Sequence, residues 1–126
     1  MNGVEVALPY IKRRNWGMDE LKQLFKELFI LLEQNGDSSY SSQMKILERV
    51  LKIIDGDGDD LEKFSQVACE YKKLFLPKSG LSEFYVWKDE LAERKKINDT
   101  LETIKKRLWE IFGWWFHRPA MLHDVC

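Results

Sequence analysis

Three aspartates at alternate positions, Asp55, Asp57 and Asp59 in "IIDGDGDDLEKF" (residues 53–64), begin as a calcium-binding loop begins. An EF-hand also needs a glycine at its sixth position, an apolar residue at its eighth and a bidentate glutamate at its twelfth. Counted from Asp55, those positions hold Asp60, Glu62 and Gln66. The sharp turn loses its permissive residue, and a neutral amide replaces the ligand that should close the site. The residues instead predict a turn between two helices. Gly56 and Gly58 end one helix and turn the chain, and Asp59 caps the next, with Asp60 and Glu62 in its first turn. No metal is expected here. The five acids Asp55, Asp57, Asp59, Asp60 and Glu62 still crowd one short segment, which makes them candidates for contact with a partner.

The remaining residue types point away from catalysis. His117, His123 and Cys126 match no compact zinc-ligand spacing and lack a fourth ligand. There is no glycine-rich phosphate loop, no nucleophile elbow and no HExxH motif. Cys69 lies on or beside an apolar helical stripe, where an inert buried thiol is expected. The chain therefore reads as no enzyme, with no catalytic residue and no cofactor. Basic triplets at Lys12-Arg13-Arg14, Arg94-Lys95-Lys96 and Lys105-Lys106-Arg107 could meet phosphates. Asp89, Glu90, Glu93, Glu102 and Glu110 interleave with the last two, so solvated, balanced faces are expected and no nucleic acid. The C-terminal "LWEIFGWWFHRPAML" is too apolar for a free tail. Periodicity puts Leu108, Trp109 and Phe112 in the core, while Gly113 weakens the helix and leaves Trp115 and Phe116 for a partner or a second copy.

These residues have to be positioned by helices. In 126 residues with a net charge of -1, Leu, Lys and Glu dominate and glycine and proline are few, a helix-forming composition of single-domain size. Residues 1–126 read as one helical domain, with 1–17 irregular and 117–126 a tail. Leu21, Leu24, Phe25, Leu28, Leu31 and Leu32 form one helical face, which Phe29 and Ile30 widen, and Gly36 is expected to close that helix in a left-handed conformation. Met44, Leu47, Val50, Leu51 and Ile54 form a second stripe behind several candidate serine caps. Leu61, Phe64, Val67, Ala68, Tyr71, Leu74 and Phe75 form a third, stopped by Pro77 and Gly80. "KDELAERKKIN" reads as a short surface helix. A final helix carries Ile97, Leu101, Ile104, Leu108, Ile111 and Phe112, with Asp99 as its expected cap. Phe84, Tyr85, Val86 and Trp87 fit a strand, a turn of helix or an extended packing segment equally well. The fold class is all-α, a compact bundle of four to five helices with room for one short extended segment at 84–87. No apolar run approaches the ~20 residues that span a bilayer, the N-terminal basic cluster follows its apolar run as a secretory signal's does not, and the cysteines suggest no disulfide framework. A cytoplasmic protein without membrane contact is expected.

The stretch from Tyr71 to Phe112, "YKKLFLPKSGLSEFYVWKDELAERKKINDTLETIKKRLWEIF", resembles small uncharacterised helical bacterial proteins of immunity-protein type. The likeness is one of layout: a helix ending at Leu74 and Phe75, a loop with Gly80, a short apolar segment at Phe84 and a closing helix begun near Asn98. It covers about a third of the chain. The resemblance implies non-catalytic binding of a protein partner, a toxin for example, with the acidic turn facing a basic toxin. The alternative is a small structural or regulatory protein that forms a homodimer through its C-terminal aromatics.

Overall fold

The computed structural model describes residues 17–75, 81 and 84–116, the last three by their backbone alone. Four helices account for most of them: α1 (Met18–Asn35), α2 (Ser41–Asp55), α3 (Asp60–Leu74) and α4 (Leu91–Phe116). No strand occurs among the described residues. Short connections make α1 and α2, and then α2 and α3, packed neighbours, and α4 returns against α1. The segments 1–16 and 117–126 lie outside the described residues, and so do the expected stop at Pro77 and Gly80, the triplet Lys12-Arg13-Arg14 and the histidines.

The apolar stripes become the core. Leu21, Phe25, Leu28 and Leu32 of α1 are buried, and Leu24 and Leu31 pack at its margin. From α2 come Ile46, Leu47, Val50 and Ile54, and from α3 Phe64, Val67, Ala68, Tyr71 and Leu74. Phe112 of α4 sits where three helices meet. Its ring stacks on Phe64 at 5.0 Å and on Tyr71 at 4.7 Å, and tilts against Phe25 at 6.2 Å. A forked ion pair ties α1 to α4: Arg107 Nε and Nη2 donate to Glu20 Oε2 and Oε1 at 2.8 and 2.9 Å. These hydrogen bonds hold the Glu20 carboxyl below the usual carboxylate range and raise the Arg107 pKa further. Burial alone pushes the Tyr71 phenol up to about 12.

Several local expectations are corrected. Residues 91–98 of the expected surface helix and the final helix are one element, because no glycine or proline interrupts the chain between Leu91 and Phe112, and residues 88–90 stay outside it. Asp99 therefore lies inside α4, paired with Lys95 at 3.1 Å, instead of capping it. Gly36 is extended (φ -86°, ψ 163°) and not left-handed. It is glycine for room: a Cβ there would stand 2.7 Å from the Leu32 carbonyl oxygen and 2.9 Å from Leu32 Cδ1. Helix α2 has no serine cap. The 3-10 turn Ser38–Tyr40 leads into it, and Asp37 caps that turn by accepting from Ser39 N–H at 2.9 Å. The carboxyl oxygen also accepts from the Ser39 hydroxyl, and these two bonds hold the Asp37 pKa down. Helix α4 continues through Gly113 to Phe116. Glycine within a helix costs about 1 kcal/mol, but here the Trp109 indole covers the bare Cα, 3.2 Å from where a Cβ would be. Trp109 lies one step of about 100° past Leu108, which carries it off the buried stripe, and it is 53% exposed instead of core. Cys69 of α3 is half-buried.

Candidate protein-interaction surface

The ambiguous segment 84–88 is neither helix nor strand-paired. It is an extended ribbon laid on the bundle and held from one side. Phe84 and Val86 turn inward and are buried, while Tyr85 and Trp87 turn outward at 58% and 69% exposure. That period of two is the signature of extended backbone. Phe84 meets Tyr40 edge-on at 4.9 Å, which anchors one end at the junction of α1 and α2. The other end is clamped by Asn98 of α4. Asn98 Oδ1 accepts from Val86 N–H at 2.8 Å, and its Nδ2 donates to the Val86 carbonyl at 2.7 Å. Only an extended residue presents both main-chain groups to one carboxamide. Asn98 Nδ2 also donates to the Arg94 carbonyl at 2.9 Å, one turn back on α4. With three of its four hydrogen-bonding capacities filled, Asn98 is the one buried polar side chain among the described residues. Lys105 Nζ donates to the Phe84 carbonyl at 3.3 Å on the same side.

This clamp leaves an exposed apolar surface. Tyr85, Trp87 and Leu91, which is 65% exposed, are three of the five large hydrophobic side chains exposed among the described residues. The Arg94 guanidinium lies over the Trp87 ring, 4.1 Å from its centroid. Elsewhere in the two described basic triplets, Lys95 pairs with Asp99, Lys105 with Glu102 and Arg107 with Glu20. The two described basic triplets are thus largely committed within the chain. A tryptophan with a stacked arginine and a neighbouring tyrosine is the composition that carries most binding energy in protein interfaces.

The residues singled out in the sequence stand elsewhere. Asp55, Asp57, Asp59, Asp60 and Glu62 are all exposed around the α2–α3 turn. Asp59 accepts from Glu62 N–H at 2.8 Å as the cap of α3, Asp55 pairs with Lys22 of α1 at 2.7 Å, and Gly58 takes a positive φ of 128°. Lys63 Nζ closes the turn on the Ile54 carbonyl at 2.8 Å. These are the contacts of a turn between helices. Among the described residues no group of three or more His, Cys, Asp or Glu side chains is arranged to hold a metal ion. The Trp115 and Phe116 side chains lie outside the described residues.

A cleft of ≈ 360 Å³ opens between Leu24 and Glu27 of α1 and Lys96, Thr100 and Thr103 of α4. Its polar groups are largely engaged with their own helices: Thr100 and Thr103 hydroxyls donate to the Lys96 and Asp99 carbonyls, and Glu27 accepts from Gln23. It therefore offers little to orient a small ligand. Sequence reasoning missed Tyr85, Trp87, Leu91 and Arg94 as a surface. The signal in "FYVW" was partial: apolar residues on both faces of an extended stretch leave one face exposed only where no second layer covers it. No described helix is long and apolar enough to cross a membrane. The sequence matches no family model, no curated protein and no solved structure.

Proposed function

We propose that this chain is a non-catalytic protein-binding domain whose partner docks on Tyr85, Trp87, Leu91 and Arg94. The observation that carries the reading is the Trp87 ring, exposed over most of its surface while its backbone is held by a buried clamp. An aromatic side chain on a fixed backbone loses little conformational freedom on binding, so its apolar area is available to a partner. Blocking a toxin, as an immunity protein does, is one form this binding takes. In that case the acidic turn, Asp55 to Glu62, supplies a second, charged contact.

Site-specific photo-crosslinking tests the proposal. A benzophenone amino acid is placed at Trp87 in one sample and at Asp57 in another, and adducts formed in the host cell are identified by mass. A discrete adduct from position 87 is expected. An adduct from position 57 alone would transfer the site to the acidic turn, and no adduct from either would sink the reading. An adduct of twice the chain mass would mark self-association instead.

A further inference from the structure

In an extended chain the N–H and C=O of one residue point to one edge, and those of the next residue point to the other. Val86 spends both groups on Asn98, and the Phe84 carbonyl accepts from Lys105 on that same edge. The main-chain groups of Tyr85 and Trp87 must face the opposite edge. Among the described residues they make no hydrogen bond. The Asn98 carboxamide thus acts as a one-residue strand on one side, and the other side is an open edge of main-chain donors and acceptors. Such an edge is a template for another extended chain.

Charge indicates what that chain carries. The Arg94 guanidinium presents one face to Trp87, and among the described residues it makes no ion pair or side-chain hydrogen bond. Its forked donors suit a carboxylate placed beside Trp87. A second copy pairing edge to edge over residues 84–88 brings no acid within the paired stretch, its nearest being Asp89 beyond the end of it.

We infer that the open edge of residues 84–88 accepts an extended peptide of a partner protein, paired main chain to main chain with Tyr85 and Trp87 and carrying an aspartate or glutamate for Arg94. The inference rests on the protein-binding reading above and adds the conformation and charge of the partner. The alternate side chains of the added strand lie beside the Tyr85 and Trp87 rings, so apolar residues are expected there.

The test selects a phage-displayed library of random linear peptides on the full chain and synthesises the winners. Winners should alternate apolar residues and contain Asp or Glu. Their binding should slow hydrogen exchange at the Tyr85 and Trp87 amides. N-methylation of the peptide at every second residue should abolish binding in one register and be tolerated in the other. Arg94→Gln should weaken the winners roughly tenfold, the loss of a charge-assisted contact. Winners that leave both amides unprotected and tolerate N-methylation in both registers would overturn strand addition. If those same winners are lost on Trp87→Ser, the docking surface itself stands. Winners indifferent to Trp87→Ser, or no enrichment at all, would overturn both. A peptide-free dimer in the ultracentrifuge that protects these amides would overturn the choice of occupant.

Discussion

Replacing Asn98 with alanine should release the segment 84–88 without dissolving the bundle. Asn98 is only 8% exposed and makes three hydrogen bonds. The Arg94 carbonyl is a helix group with its own partner, so its loss matters little. The Val86 N–H and C=O are different, because the carboxamide is their only partner among the described residues. Leaving a buried polar group unsatisfied costs about 1–3 kcal/mol, so two such groups set an upper range of about 2–6 kcal/mol. The segment lies at the surface, and water can reach Val86 if the ribbon lifts, so about 2–4 kcal/mol is the expected loss. Native-state hydrogen exchange separates the two responses. Protection of the Val86 amide should collapse while the amides of Leu28 and Phe64 keep most of theirs. Asn98→Asp adds a second reading. Its carboxylate would face two carbonyl oxygens, so its folded pKa is raised, and its stability should recover as pH falls and the protonated acid again donates to Val86. If Asn98→Ala lowers the urea midpoint negligibly and Val86 stays protected, the clamp is not what holds the segment.

The remaining predictions concern the core and its titrating groups. Phe112→Ala should cost about 3–5 kcal/mol, since its ring contacts rings from α1 and α3. Trp109→Ala, at 53% exposure, should lower the urea midpoint far less, and a reversed order would overturn the placement of α4. The Glu20 pKa is lowered from 4.5 by Arg107, so its contribution is complete above that value and is lost as pH falls through the folded pKa. The advantage of wild type over Glu20→Gln, at most about 1 kcal/mol for a pair this exposed, should therefore shrink in acid. A constant difference down to pH ~2 would contradict the pairing. Tyr71 titrates the other way: its folded pKa of about 12 exceeds the unfolded 10.0, so the fold should lose stability as pH rises between them, and Tyr71→Phe should flatten that loss.

Most of the architecture was legible because it depends on a period. Leu21, Phe25, Leu28 and Leu32, or Phe64, Val67, Ala68, Tyr71 and Leu74, recur at helical spacing and are buried as that spacing requires. The turn at residues 55–62 was legible for a chemical reason, since aspartate before a helix caps it whatever else it might ligate. Trp109 was misplaced because hydrophobicity was weighed above angle. It neighbours Leu108 in sequence, yet the helix turns it away from the core. Gly36 was misjudged because a glycine after a helix reads as a conformational need, when here the need is space beside Leu32.

The surface at Trp87 was illegible because its cause lies twelve residues away in the chain. Nothing in "FYVWK" fixes which edge of that segment is occupied. A neighbouring strand would have spent one whole main-chain edge, and no such strand is present among the described residues. A helical asparagine at position 98 occupies one edge at a single residue, and the carboxamide spends three of its four hydrogen-bonding capacities on Val86 and the turn behind it. The clamp is therefore strong enough to fix the ribbon and too small to complete it. Fixing the ribbon with Phe84 and Val86 inward turns Tyr85 and Trp87 outward, and it brings Trp87 under Arg94. The exposed rings, the stacked cation and the open edge are thus three consequences of one buried side chain. Any substitution that frees Val86 from Asn98 should disturb all three together, whereas Trp87→Ser should remove the rings' contribution and leave the clamp intact.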